Sequence, residues 1–324
     1  EDNTLRLGLQ YNHWVCPNGK RFFVGERMDV ETYSVVVMDE QRFDRLTLDA
    51  GIRSTFTWYE DYTDTTFAVD GARLSAQPIT DDWGDPGLIT TLGAKYQLTE
   101  PLALYGHLAL GTIDAPSGAA TAAGDDIGRE MRLILDGGIR AEKAGLGLIQ
   151  AGVFTVLRDS AVLLTQTQIT VDGELVNVYG NSDVRQYGLE LEVRSAPIRE
   201  IFTAYTTATL MNSTRDDGNG WIDYREIPDT VLTAGVHVAA GRLDLNLFGK
   251  VVGGYENKRF AQDGQYHDLG DFFDLNLTAA VRLGKEERSR VTLSVQNLLN
   301  DRYSTVVGFP DYGTQVFVGF EHRL

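Results

Sequence analysis

The segment FDLNLTAAVRL (273–283) sets Phe273, Leu275, Leu277, Ala279, Val281 and Leu283 in strict alternation with Asp274, Asn276, Thr278, Ala280 and Arg282. Successive side chains of a β-strand point to opposite faces, so this segment presents one greasy face and one largely polar face. The stretch after it, VTLSVQNLLNDRYSTVVGFPDYGTQVFVGFEHRL (291–324), repeats the pattern as two alternating strands around a long polar loop. Earlier, Leu46, Leu48, Ala50, Ile52, Phe56 and Trp58 oppose Thr47, Asp49, Gly51, Arg53, Thr55 and Thr57. Leu5, Leu7, Leu9 and Tyr11 likewise oppose Arg6, Gly8, Gln10 and Asn12. Alternation of this kind along a whole chain is the pattern of a barrel that meets lipid outside and water inside.

About fourteen strands follow from this reading, each near the length a tilted membrane strand needs. After the first they fall at 33–38, 46–58, 88–97, 102–111, 129–141, 146–157 (with an extension toward 170), 175–195, 201–212, 230–239, 243–253, 272–283, 290–297 and 315–324. Connections alternate in length. Short ones lie at 40–45, 98–101, 142–145, 196–200, 240–242 and 284–289; long ones lie at 13–31, 60–86, 112–128, 213–228, 254–271 and 298–314. Asp172-Gly173 suits a tight hairpin on the long side. In an outer-membrane barrel the short turns are periplasmic and the long loops extracellular, which puts both chain ends on the periplasmic side. Tyr11, Trp14, Trp58, Tyr59, Tyr62, Tyr105 and Tyr303 are expected to form an aromatic girdle at the bilayer surface.

Composition agrees without deciding the matter. The 324 residues are 43% hydrophobic, as expected where only one face of each strand is apolar. No run of about 18 apolar residues suits a transmembrane helix. The start, EDNTLRLGLQ, lacks the basic and apolar regions of a leader. A net charge of −17 repels nucleic-acid phosphate, while acidic loops can sit among lipopolysaccharide bridged by divalent cations. Cys16 is the single cysteine, so no internal disulfide or thiolate cluster can form, and the five histidines show no zinc spacing. There is no nucleophile elbow, His-Glu-x-x-His motif or phosphate loop, so catalysis is not expected.

Four blocks resemble TonB-dependent outer-membrane receptors, in that family's order. They are FDRLTLDAGIR (43–53), LITTLGAKYQLTEPLALYGHLALGTIDAPS (88–117), GNSDVRQYGLELEV (180–193) and the C-terminal hairpin from Val295 onward with its Asn-Leu-hydrophobic-Asn and Gly-x-Pro elements. The resemblance implies a 22-stranded barrel with a plugged lumen. Residues 1–324 correspond to roughly its last fourteen strands, and no plug-like region precedes the first. By the same resemblance, the implied activity is uptake of a scarce ligand, ferric siderophores first, then cobalamin, haem and glycans. Outer-membrane lipid and lipopolysaccharide, an N-terminal plug and barrel portion or partner subunit, and TonB acting through that plug are the implied partners. Leu324 departs from the aromatic ending usual in such barrels, and His322 interrupts the final alternation.

The inner face is expected to carry Arg53, Glu190, Glu192, Arg194, Asp244, Asn246, Lys250, Asp274, Asn276 and Arg282, mostly in structural roles. Ligand is expected to meet loop aromatics and charges, namely Tyr62, Trp83, Arg129, Trp221 and Tyr255. Asp217, Asn219, Asp223 and Glu226, around Gly220, partly match a calcium loop, but Arg215 stands where its first oxygen ligand belongs. An acidic, glycine-rich hairpin explains that stretch more simply. Two other functions compete with uptake: a self-contained passive channel, and a scaffold subunit of a larger outer-membrane complex.

Overall fold

The computed structural model describes the chain outside residues 1, 17–26, 68–72, 115–126, 172–173, 258–266, 269–270, 307–308, 311–312 and 324. Alternating β-branched and aromatic residues form strands throughout: β1 (Asp2–Cys16), β2 (Met28–Phe43), β3 (Leu46–Phe67), β4 (Arg73–Trp83), β5 (Gly87–Thr99), β6 (Leu102–Ile113) and β7 (Glu130–Lys143). There follow β8 (Gly147–Val171), β9 (Glu174–Ser195), β10 (Phe202–Asp216), β11 (Trp221–Asp223), β12 (Thr230–Ala240) and β13 (Leu243–Gly253). The last are β14 (Glu256–Asn257), β15 (His267–Asp268), β16 (Phe272–Leu283), β17 (Ser289–Gln296), β18 (Ser304–Val306), β19 (Phe309–Pro310) and β20 (Gln315–His322).

One antiparallel sheet takes sixteen of them, in the order β1-β2-β3-β5-β6-β7-β8-β9-β10-β12-β13-β16-β17-β20, with β4 added to β3 and β11 to β10. All fourteen expected strands are present on this path, each paired with its sequence neighbour. Among the described residues β1 and β20 are each paired on one side only, so they stand at the two edges.

Register carries the alternation across the sheet. Val236, Leu247, Leu277 and Val295 form one hydrogen-bonded row on the apolar face. That face is open: Leu9 is 86% exposed and Val318 75%. The opposite face is the sheltered one, holding Ser34, Ala103 and Ala280 at 2 to 3% exposure. A sheet that shelters its polar side and bares its apolar side is inside-out relative to a water-soluble barrel, as lipid requires. The short connections fall at one end, as expected. At one of them, Gly147 has φ +118, and a Cβ there would lie 2.1 Å from the Arg194 carbonyl oxygen, so only glycine fits.

Two expectations need correction. The girdle is real but differently composed. Tyr11, Tyr33, Trp83 and Trp58 pack in a chain of rings on the apolar face, 5.2, 6.0 and 5.1 Å apart in turn. Trp14, Tyr59, Tyr62 and Tyr105 belong to the opposite face by parity and register. Tyr303 stacks flat on Phe272 at 4.1 Å, and Phe272 is buried. Proximity in sequence to a strand end does not decide which face a ring takes; parity does. The second correction is the size of the strands. Much of what reads as long loop at 13–31 and 60–86 is ladder, because polar residues also alternate in strands that rise above the bilayer.

Candidate functional site

A collar stands on the long-loop end of the sheet. β8 has 25 residues and β9 has 22. Some 9–11 residues suffice to cross a bilayer at the usual tilt, so more than half of this hairpin projects beyond it. Val171 pairs with Glu174, the register a two-residue turn requires; Asp172 and Gly173 themselves lie outside the described residues. A bulge between Arg158 and Ala161, with Ser160 at φ 55, bends the hairpin. There Ala161, Leu163 and Val184 bury themselves against Tyr224, with Ile227 alongside. The tall hairpin is therefore propped by the segment that follows β11.

Polar clamps join the neighbouring connections. Arg129 donates to the Asp114 carboxylate at 2.6 Å and to the Pro86 and Asp85 carbonyls at 2.9 Å each. Asn181 accepts from the Gly128 amide and donates to the Gly128 and Ser160 carbonyls. Ser182 donates to the Asp216 carbonyl at 2.5 Å. Below these, Glu130 is 2% exposed and receives a two-pronged guanidinium from Arg158, at 2.9 and 2.7 Å, and a further bond from Arg132. Burial pushes the Glu130 carboxyl up, but the two arginines outweigh it and hold the pKa below its ordinary value.

The five expected ligand residues are not gathered in one place. Tyr62 follows a bulge at Glu60 that puts it on the same face as Tyr59, with ring centres 5.1 Å apart. Together with Trp14 it packs on the buried Cys16–Met28 pair, forming an aromatic wall at the mouth of the inner face. Trp83 is part of the outward girdle, away from that mouth. Arg129 is engaged in its clamp. Trp221 lies in β11 under the Arg185 guanidinium, 3.7 Å from ring centre to carbon. Tyr255 is half-buried between β13 and β14.

The calcium-like stretch is a tight hairpin. Asp216 pairs with Trp221 across four residues, and the Asp217 amide donates to the Gly220 carbonyl. The carboxylates of Asp216 and Asp217 accept from the amides of Gly218 and Asn219. Asp223 faces Arg225. Among the described residues no three of His, Cys, Asp or Glu converge as metal ligands, so Asp217, Asp223 and Glu226 do not form a set.

Below the mouth the inner wall is a polar lattice. Asp49, Gly93, His107 and Asp136 make one row across four strands, with His107 3.0 Å from the Asp136 carboxylate. Tyr105 bonds Gln150 and lies over Gly138 and Gly152, where a Cβ would fall within 2.8 Å of its hydroxyl. Glu190 and Glu192 face Thr209 and Thr207, as the alternation predicts. The geometry suits hydrated passage or a polar filling.

The model of the family described as "TonB dependent receptor-like, beta-barrel" matches residues 2–298. The chain belongs to that family. Its members are outer-membrane receptors and transporters rather than enzymes, so the outer membrane is the setting for everything described above. Solved structures share the architecture at low identity. The copper transporter OprC has a TM-score of 0.70 and 16% identity, covering 99% of this chain and 55% of its own. The ferric-catecholate import receptor Fiu from K12 E. coli has 0.63 and 15%, covering 99% and 51%. The ferric citrate transporter FecA has 0.63 and 15%, covering 98% and 51%. The receptor chain described here thus spans about half the length of these proteins. Comparison with curated protein sequences gives no match.

Sequence reasoning missed Tyr59 as a wall residue, and Glu130, Arg158 and Asn181 as collar residues. Asn181 lay inside a block already singled out, GNSDVRQYGLELEV. Arg158 and Glu130 are 28 residues apart and carry no local signal.

Proposed function

We propose that this chain supplies the wall and extracellular collar of a TonB-dependent receptor that imports a scarce ligand, with ferric siderophores as the ligand class. The observation that carries the reading is the family match over residues 2–298, on a sheet whose strands rise into a clamped collar around a polar face. The names of Fiu and FecA support iron, and that of OprC makes copper the rival cargo. In this reading Trp14, Tyr59 and Tyr62 receive ligand at the mouth, Trp221 and Tyr255 border it, and the polar wall keeps the path below hydrated. Asp217, Asn219, Asp223 and Glu226 serve as rim hairpin without a calcium ion. A plug and the strands that complete the ring come from polypeptide outside these 324 residues, and TonB acts through that plug. Lipopolysaccharide surrounds the outward girdle.

Express the complete receptor polypeptide containing this chain in a bacterium stripped of its own iron receptors. Uptake of radiolabelled ferric siderophores is expected only when TonB is present. Uptake that persists without TonB overturns the reading. The passive-channel alternative draws no support from the pairing, since among the described residues β1 and β20 are not paired with each other. Stable ohmic conductance from the isolated chain would favour that alternative.

A further inference from the structure

Among the described residues, Asp39 is a charged interruption in the membrane rows of the apolar face. Register places Asp39 between Leu5 and Ala50, and Gln41 between Asn3 and Leu48. Parity puts both on the face of Leu7, Leu9, Val35, Val37 and Ile52. Phe43 and Leu46 pair on that same face beside the Asp44–Arg45 turn, so apolar side chains flank the pair at both ends. Gln41 Nε2 donates to Asp39 Oδ2 at 2.9 Å, and among the described residues Asp39 has no ion pair. A hollow of about 640 Å³ borders Asp39, Gln41, Leu48, Leu92, Ala94 and Gly106, and reaches past Gly93 to Asp49, His107 and Asp136 of the inner row. Ala94 and Gly106 sit opposite each other, and their small size opens it.

An ionised group on a lipid-facing wall is costly and calls for a partner. The Gln41 bond leaves the negative charge uncompensated. What remains is a cluster of acceptors: the second Asp39 oxygen and the Gln41 Oε1. That set fits a cation with several N–H donors. Most of the surface of the adjoining hollow is apolar, so the occupant is amphipathic, which a lone metal ion or a soluble cation is not. The site lies toward the short-turn end, hence within reach of the periplasmic leaflet's headgroups.

We propose that Asp39 and Gln41, with the hollow beside them, bind a phospholipid whose headgroup carries a primary ammonium, from the periplasmic leaflet. The ammonium donates to Asp39 and Gln41, and an acyl chain fills the hollow over Ala94 and Gly106. The proposal rests on the outer-membrane placement and is independent of which ligand is imported. A trimethylammonium headgroup has equal charge and no N–H, so it tells hydrogen bonding from general attraction.

The test uses the complete receptor polypeptide in nanodiscs of equimolar phosphatidylethanolamine and phosphatidylcholine, with retained lipid counted by native mass spectrometry. The wild type is expected to hold the ethanolamine lipid about tenfold over the choline lipid, the scale of one charge-assisted hydrogen bond. Asp39→Asn and Gln41→Leu should each lower that preference, Asp39→Asn to near parity. Asp39→Leu should abolish it, and heat-modifiable gel migration checks that each variant is folded. If Asp39→Leu does not fold, Asp39→Asn and Gln41→Leu decide. Equal retention of the two lipids by the wild type overturns the proposal. So does a preference that survives Asp39→Asn, or a co-purifying protein that displaces lipid from the site.

Discussion

The membrane belt and the extracellular collar are built from the same strands by different physics. In the belt each residue's role follows from parity alone, and one row resembles the next: Val236, Leu247, Leu277 and Val295 are interchangeable greasy positions. In the collar each contact is singular. Arg129 reaches back 43 and 44 residues to two carbonyls, and Asn181 reaches back 53 to Gly128. The bilayer holds the belt by averaging over a surface, whereas the collar depends on a few hydrogen-bonded residues. The belt should therefore punish a change of polarity, and the collar a change of partner.

The largest effect is expected in the belt. Leu277→Arg puts a cation on the lipid face and should cost about 2–4 kcal/mol of folding free energy in lipid. Thr207→Arg is the matched control: it faces inward, opposite Glu192, and should be nearly neutral. Neighbouring Asn276 looks like the natural control from the alternation, but it is 8% exposed and accepts from the Asn297 amide, so its loss damages the following turn. Urea titrations of the two variants in lipid vesicles make the comparison. Similar costs at positions 277 and 207 would mean that outward parity does not equal contact with lipid.

In the collar, Glu130→Gln keeps the size and removes the charge that two arginines share. A loss of about 3 kcal/mol is expected, the lower end for breaking a buried pair, because Arg132 and Arg158 remain partly exposed and can rehydrate. Protease nicking between residues 114 and 130 should rise while the belt variants leave it unchanged. If nicking rises equally with Leu277→Arg, belt and collar do not come apart independently.

Acid probes the same pair without mutation. The folded pKa of Glu130 is held below its ordinary 4.5, so its stabilisation is complete above about that pH and fades as pH falls through the lower folded value. Asp29 behaves alike. His13, at 2.6 Å, leads in lowering it, burial opposes, and Arg27 adds to the lowering. The collar should loosen below pH 4.5 before the belt does, and Glu130→Gln should flatten that part of the profile. Hydrogen exchange at pH 3.5 and 6 would show it. Unchanged acid sensitivity in the variant would assign the effect elsewhere.

The difference also explains what the sequence could reveal. Parity from Phe273 to Leu283 determines both faces of β16, and the same reasoning located every strand of the path, although β2 and β3 run well past their expected ends at 33 and 58. It failed where polar residues alternate above the bilayer, because hydropathy there no longer separates strand from loop. Arg129, expected among the loop charges that meet ligand, also sits in a clamp that the alternation does not reveal. Its partners are carbonyls at Asp85 and Pro86, and nothing in a local window announces a main-chain acceptor 43 residues away. Trp83, also expected to meet ligand, packs among the outward rings of Tyr33 and Trp58.

The smallest expected effect lies where collar meets ligand space. Arg185 stacks on Trp221 at 3.7 Å, and Trp221 is 39% exposed, so the contact is only partly desolvated. A cation–π pair in such a setting contributes about 0.5–1 kcal/mol. Arg185→Gln should therefore leave global unfolding almost unchanged. It should loosen the β10–β11 hairpin locally, because that hairpin is short, with three strand pairs, Thr214–Asp223 to Asp216–Trp221, beside the Asp217–Gly220 turn bond and the packing of Tyr224. Amide exchange at residues 214–223 should accelerate about threefold, with β8 and β9 unaffected. If the hairpin serves only as a rim, ligand uptake should survive this loosening. A large loss of uptake with intact global stability would instead make the Trp221 face a ligand contact, and would move the binding surface from the inner mouth to the collar's edge.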